Sequence, residues 1–459
     1  MVFSHLPRRA LDVLRDALIA GVRIAARVGL RSDSYNMCRD DLPNSLVGAR
    51  QEGYQPNRLG GLSLRIGHFL DHFPEPGGMT TMLLGLASGL TEQGHEVVIY
   101  GRGREGERGS GHGPLAESME AGIEVRSLRW PILRSGLPPY VGPNPLFSPL
   151  ERNEDGLDVM VVHGMFGRFS GQIASASTKA GTPCIACPHD PYSPELFGTH
   201  TMAKRAYWRL LEAPFLEEMR AIHVLAPSHM GYLRALGIST PAFVVPNGLS
   251  RNQLERCQER AGPTRTQAAE HSEFHLLYLG RWDVYNKGLD LLLQALAADP
   301  ESRWKSTVHI AGNGSSRERR RLEHLISALR LGDRVSLVGY LKHVDSAIKS
   351  ADALILPSRF DGFGQVVIES IAAGTPVIVS SKAGSSEFLG PEHGVVVVNP
   401  NVPSIVRGLG TAAAVKDQLR EAAGSAGAYL AREFSWDRLA RDWIQQVERL
   451  GVTDGRLGD

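Results

Sequence analysis

P-S-R-F-D-G-F-G-Q-V-V-I-E-S-I-A-A-G-T-P-V-I, from Pro357 to Ile378, follows an apolar run, Ala353 to Leu356, that reads as a buried strand. Gly362 and Gly364 give the loop behind that strand an unobstructed turn. A helix is expected from about Gly364 to Gly374, where Pro376 forbids continuation. Free amides at such a start, together with the helix dipole, attract anions. Asp361 and Glu369, eight positions apart, frame the site. A carboxylate beside a phosphate repels it, so these acids are better suited to accept hydrogen bonds from hydroxyl groups. A ligand carrying both phosphates and hydroxyls is a sugar nucleotide.

Working outward, the same alternation of strand and helix fills most of the chain. Strands are expected at Leu64 to Leu70, Glu96 to Tyr100, Ile123 to Leu128, Asp158 to Val162, Pro183 to Cys187, Ala221 to Ala226 and Ala242 to Val245. A turn at Pro74 to Gly78 and a helix from Met79 to Gln93 follow the first of them. The spacing is that of a parallel, doubly covered α/β sheet. Pro246-Asn247-Gly248 breaks the pattern, and the segment Leu249 to Glu273 is expected to be irregular. A second series then begins with strand Phe274 to Leu279, helix Gly288 to Ala298, strand Thr307 to Ala311 and helix Ser316 to Arg330. It continues through strands Val335 to Val338, Ala353 to Leu356 and Val377 to Val379. The last helix, Trp436 to Leu450, carries Leu439, Trp443 and Val447 on one face. The expected divisions are an extension at 1–60, Rossmann-like domains at 61–248 and 249–434, and a terminal helix at 435–459 returning to the first domain. Ligands bind where strand carboxyl ends meet such a crevice.

Behind strand Phe274 to Leu279 stands G-R-W-D-V-Y-N-K-G, with Arg281 and Lys287 on one loop. Arginine offers a planar fork for phosphate oxygens and lysine a compact charge. Alone, the pair reads as solvated loop charges; the acidic motif downstream favours the diphosphate. An acidic residue, seven others, then Glu369, before A-x-G-x-P-V-I, resembles the donor-binding signature of family 4 glycosyltransferases. The family usually has Glu where this chain has Asp361, one methylene shorter. G-R-x(4–5)-K-G, the Gly-Gly after the first strand and V-P-N-G also resemble the family, from about Leu62 to Leu450. The resemblance implies the GT-B fold, a nucleoside diphosphate sugar as co-substrate, no cofactor and retention of anomeric configuration. It implies that Arg281 and Lys287 hold the diphosphate, Glu369 the ribose, and Asp361 with the amides of Phe363 and Gly364 the sugar. Gly78 and His189, which ends C-P-H, would reach the donor from the first domain. His189 alternatively braces its own turn through Asp190. His163 occupies a family-like place at a strand end, and Glu387 falls where the family often has Glu, with Gly384 near it.

The bulk numbers narrow the classes. At 459 residues the chain holds two or three domains. A formal charge of +1 gives no global attraction to nucleic acid. Four cysteines make no disulfide framework and suggest a reducing compartment. Cys184 and Cys187 are spaced C-x-x-C but lie inside a strand-like run without a second pair for zinc. Asp-x-Asp, P-loop and H-E-x-x-H motifs are all missing, so a metal-independent reaction is expected. No apolar run reaches membrane-spanning length, and Arg23 and Arg27 interrupt the one signal-peptide candidate. Arg8 to Leu30 reads as a basic amphipathic helix, suited either to a membrane interface or to the protein's own surface. The expected setting is cytoplasmic, with peripheral membrane contact through residues 8–30. The expected acceptor is a saccharide or a lipid-linked molecule, in cell-surface polysaccharide or glycolipid synthesis. Two rivals stand: a sugar-nucleotide epimerase or hydrolase of the same fold, and a sugar-nucleotide-binding module without catalysis.

Overall fold

Near-continuous runs of Val, Ile and Leu suit strands covered on both faces, and V-M-V-V-H at Val159–His163 and A-L-I-L at Ala353–Leu356 are buried throughout. The computed structural model describes residues 63–73, 77–102, 118, 120–128, 148–167, 169–190, 192–194, 196, 201–258, 274–298 and 306–451. The expectations for residues 1 to 60 lie outside them.

The first sheet contains β1 (Arg65–Leu70), β2 (Glu96–Arg102), β3 (Glu124–Leu128), β4 (Val159–His163), β5 (Cys184–Cys187), β6 (Ala221–Val224) and β7 (Ala242–Val244). Its order is β3-β2-β1-β4-β5-β6-β7, and every pairing is parallel. The second contains β8 (Phe274–Leu279), β9 (Ser306–Ala311), β10 (Val335–Gly339), β11 (Ala353–Leu356), β12 (Val377–Ser380) and β13 (Val395–Val398). Its order is β10-β9-β8-β11-β12-β13, again parallel. Strand order reverses direction between β1 and β4 in one sheet and between β8 and β11 in the other. These are the places where open α/β sheets leave a crevice for ligands.

The helices that position the site are α1 (Gly78–Glu92), α2 (Pro227–Ala235), α3 (Arg251–Gln258), α4 (Leu289–Ala297), α5 (Gln365–Ala372), α6 (Gly427–Phe434) and α7 (Trp436–Arg449). Helix α3 corrects the expectation of an irregular stretch after Leu249. Ser250 and Gln253 form a reciprocal cap: Gln253 Oε1 accepts from the Ser250 amide at 2.9 Å, and the Gln253 amide donates to Ser250 Oγ at 3.3 Å. Strand β13 had no counterpart among the expected strands, and β2 runs through Gly101 and Arg102, two residues past the strand expected at Glu96 to Tyr100. At Gly101 a Cβ would stand 2.6 Å from the Phe73 carbonyl oxygen, so a glycine is required inside that strand.

Helix α7 buries Leu439, Trp443 and Val447 and crosses α1 of the first sheet. The crossing depends on two glycines. A Cβ at Gly85 would sit 2.1 Å from Trp436 Nε1, and one at Gly89 would sit 2.6 Å from the Trp436 carbonyl oxygen. Gln93 Nε2 then donates to the Asp437 carbonyl at 2.7 Å. In an open helix interior, Gly→Ala stabilises by about 0.5–1 kcal/mol. Gly231 in α2 has open space around its missing Cβ and should behave that way. Gly89→Ala should reverse the sign, since overpacking against backbone costs roughly 1–3 kcal/mol. Urea melts of the two variants check the contrast; equal shifts would refute the crossing.

Candidate active site

The loop after β11 is pinned before it reaches the cleft. Arg359 forms a fork on Asp290 at the start of α4, at 2.7 and 2.8 Å, and its Nη1 also donates to the Tyr285 carbonyl at 2.6 Å. The guanidinium lies 4.2 Å over the Tyr285 ring. Gly288, with φ of 66°, approaches so closely that a Cβ would meet the Pro357 carbonyl oxygen at 2.1 Å. The loop after β8, carrying Arg281 and Lys287, is therefore locked to the loop carrying Asp361. Gly364, with φ of 77°, turns the chain into α5, and Gly374, also at 77°, ends it.

These constraints bring Lys287 Nζ to 2.6 Å from Asp361 Oδ2, with Ser358 Oγ donating to the same oxygen at 3.4 Å. Burial works against the ammonium, but Asp361 and Asp190 outweigh it and hold the Lys287 pKa above its ordinary value. Asp190 belongs to the other half of the molecule. Burial raises its carboxyl, Lys287 and Arg281 lower it, and it accepts the Gly362 amide at 3.3 Å. Two cations and two carboxylates thus meet where the halves touch. Arg281 is exposed, and its charge acts on Asp190 and Lys287.

The contact itself is tight. A Cβ on Gly362 would lie 1.7 Å from the His189 carbonyl oxygen, and one on Gly384 would lie 3.0 Å from the Ala226 Cβ. His189 has φ of 67°, a left-handed conformation that costs a non-glycine residue of the order of 1–2 kcal/mol. Its strain is held by packing on both sides. Glu387, which falls where the family often has Glu, reaches across to the start of α2. Its carboxylate accepts the Ser228 amide at 3.0 Å and the Ser228 hydroxyl at 2.5 Å. Capping a helix start with a carboxylate complements the helix dipole.

Glu369 is half-buried on α5, where burial raises its carboxyl while the side chains of Gln365 and Gln253 lower it. Gln253 comes from α3. The Phe363 ring is buried against Phe388 and Phe434, leaving only backbone to face a ligand. Gly77 and Gly78 open α1, with nothing within 4 Å of either missing Cβ. Cys184 and Cys187 are buried free thiols in β5.

Sequence reasoning overlooked two groups, Asp190 as an acid of the site and His68. His68, His163 and His189 form a hydrogen-bonded row, considered further below. Nearby, His223 is fully buried, stacks on Phe243 and has Nε2 2.8 Å from the Val245 carbonyl. Burial pushes its pKa from 6.5 down to about 4, although the Val245 bond works the other way. Between these values the unfolded chain holds a proton that the folded chain refuses. Stability from this group is present above pH 6.5 and lost as pH falls toward 4. Compared with His223→Phe, the wild type should lose about 1.4 kcal/mol per pH unit in that window. Urea unfolding of both proteins at pH 7.5, 6 and 5 tests this; parallel curves would contradict it.

Two family models match adjoining parts of the chain. One is described as glycosyl transferase 4-like domain, over residues 77–248, and the other as glycosyl transferases group 1, over residues 264–428. An uncharacterized glycosyltransferase of Methanocaldococcus jannaschii is 26% identical over 385 residues, 80% of this chain and 93% of that protein. A phosphatidyl-myo-inositol mannosyltransferase of Mycobacterium leprae is 28% identical across 49% of this chain and 58% of that one. Among solved structures, Anabaena HepE in complex with UDP superposes with a TM-score of 0.64, at 17% identity over 84% of this chain and 100% of its own. Sucrose-phosphate synthase of Thermosynechococcus elongatus gives 0.63, at 20% identity over 84% and 99%. The fold, two Rossmann-like parallel-sheet units, is of the GT-B type.

Proposed function

The chain belongs to the group 1 glycosyl transferases, and from that footing we propose that it moves a sugar from a nucleoside diphosphate sugar onto an acceptor hydroxyl, with retention and without a metal ion. The observation that carries this reading is the convergence of Arg281, Lys287 and Asp361 at the reversal point of the second sheet, against His189 and Asp190 of the first.

In this reading Arg281 and Lys287 hold the diphosphate and offset the charge that develops as it departs. Glu369 accepts from the ribose hydroxyls. Asp361 and the amides at Phe363 and Gly364 contact the sugar, whose hydroxyls compete for the Asp361 oxygen not bonded to Lys287. The start of α1 at Gly78 supplies amides to the phosphates, and His189 meets the sugar or the departing oxygen. Asp361 is engaged by Lys287 and Glu369 by Gln365 and Gln253, and in this reading both serve as hydrogen-bond acceptors and not as nucleophiles. The bond from the anomeric carbon to the phosphate oxygen breaks, that oxygen takes the acceptor's proton, and the acceptor oxygen bonds on the same face. The acceptor is a saccharide or a lipid-linked molecule, a class consistent with the name of the mannosyltransferase relative. Peripheral membrane contact through residues 8–30 belongs to the same proposal. Among the described residues no helix is long and apolar enough to cross a membrane.

The test is release of nucleoside diphosphate with and without candidate acceptors, in chelator, followed by proton NMR of the product. Acceptor-dependent release and a retained anomeric configuration are expected. Release without acceptor would favour the hydrolase or epimerase reading, an inverted product would overturn retention, and loss in chelator would overturn metal independence.

A further inference from the structure

Three neighbouring strands each deliver one histidine to a single line. His68 lies in β1, His163 ends β4, and His189 stands two residues beyond β5. Exposure rises along the line from 0% at His68 through 3% at His163 to 8% at His189, so the row runs from the sheet interior to the cleft. His68 Nδ1 lies 2.8 Å from His163 Nε2, and His163 Nδ1 lies 2.9 Å from His189 Nε2. Both spacings are those of hydrogen bonds.

Cys187 stands close enough to His163 and His189 for the three to be considered as metal ligands. The distances argue otherwise. Two nitrogens on a tetrahedral zinc ion at its usual bond length would be about 3.3 Å apart, beyond the observed spacing. Burial also pushes the Cys187 thiol well above its ordinary value, away from the thiolate that binds metal.

The direction of the row follows from proton counting. Burial pushes His68 and His189 down to about 3 and His163 well below its ordinary value, so all three rings are neutral near pH 7. Each neutral ring carries one N–H and one lone pair. His163 sits in the middle and must donate once and accept once, so both bonds point the same way. One arrangement puts every proton on Nε2, which leaves His68 Nε2–H buried without a partner. The other puts every proton on Nδ1, which leaves only a lone pair there. Among the described residues His68 Nε2 has no hydrogen-bond partner. Orphaned buried N–H groups are the rarer defect. Trp443, whose ring centroid is 6.4 Å from that of His68, brings only another donor to this end. The inner end therefore favours protons on Nδ1. It is also a dead end, so the row does not conduct protons through the sheet.

We propose that His68 and His163 are positioning residues that hold His189 as its Nδ1–H tautomer, closing its Nε2 and leaving a single fixed N–H donor for a ligand oxygen. This rests on the proposed function only in placing the sugar nucleotide at His189; the tautomer is a property of the protein alone. His189 then acts as a hydrogen-bond donor at the cleft and not as a base through Nε2.

The experiment is long-range proton–nitrogen correlation NMR on the full chain labelled with nitrogen-15 histidine, with single variants assigning each ring. All three rings should show Nδ1–H and a bare Nε2. In His163→Phe the His189 ring should revert to Nε2–H, and kcat should fall on the order of tenfold or more while KM for the donor holds within about twofold. His163→Gln, whose amide can still donate to His189 Nε2, should retain the Nδ1–H form and recover most of kcat. A proton on His189 Nε2 in the wild type overturns the proposal, and that spectrum decides even if His163→Phe fails to fold. An unchanged His189 tautomer in His163→Phe, or a loss confined to KM, overturns it as well. Absence of transferase activity in the wild type would count against the proposed function and leave the tautomer to be judged by the spectrum.

Discussion

Lys287→Ala should lower kcat/KM for the nucleotide sugar by roughly 10²–10³-fold, the usual consequence of removing one well-placed stabiliser of a departing anion. Lys287 is the cation most tightly held by the site, at 2.6 Å from Asp361 and within the field of Asp190. Its side chain is only 19% exposed, so bulk water cannot substitute for it. The variant also strands Asp361, itself 12% exposed, beside another carboxylate. Part of any loss will therefore be structural. Lys287→Ala combined with Asp361→Asn separates the two effects. The double variant should regain part of the stability in urea, because the stranded charge at position 361 is gone, while transfer stays lost. Recovery of activity in the double variant would mean that Lys287 serves only to neutralise Asp361.

Gly362→Ala should cost at least about 10²-fold in kcat/KM while barely moving the melting temperature. The added methyl would lie 1.7 Å from the His189 carbonyl oxygen, and no side-chain rotation relieves a clash with backbone. The loop after β11 must then withdraw from the loop after β5 by more than an ångström. Displacements of that size commonly cost about 10²-fold when reacting groups sit on opposing parts. The sheets beneath are untouched, since the clash falls between two loop tips. A fully active Gly362→Ala would show that the halves do not meet at this point during turnover.

The frame of the molecule was legible because its signals are local. Gly364 and Gly374, with Pro376 behind, bounded a helix that spans Gln365–Ala372, and the strand before it, Ala353–Leu356, falls where the apolar run stood. The helix at Arg251–Gln258 carried a readable signal in Ser250-x-x-Gln253, obscured by the polar composition around it. What the sequence could not disclose are meetings between distant residues. Asp190 reaches the Gly362 amide across 172 positions, and Glu387 reaches Ser228 across 159. His68 looked like one more residue of a buried strand until β1, β4 and β5 were placed side by side. Periodicity reports which face of an element is buried; it carries no information about which polar group waits there.

The most direct test of the central claim is isothermal titration of uridine, guanosine and adenosine diphosphate sugars into the wild-type protein, with chelator present. One clear binder, indifferent to chelator and lost in Lys287→Ala, is the predicted result. Binding that survives Lys287→Ala undiminished, or no binding by any donor with acceptor and lipid also supplied, would contradict the assignment of this cleft.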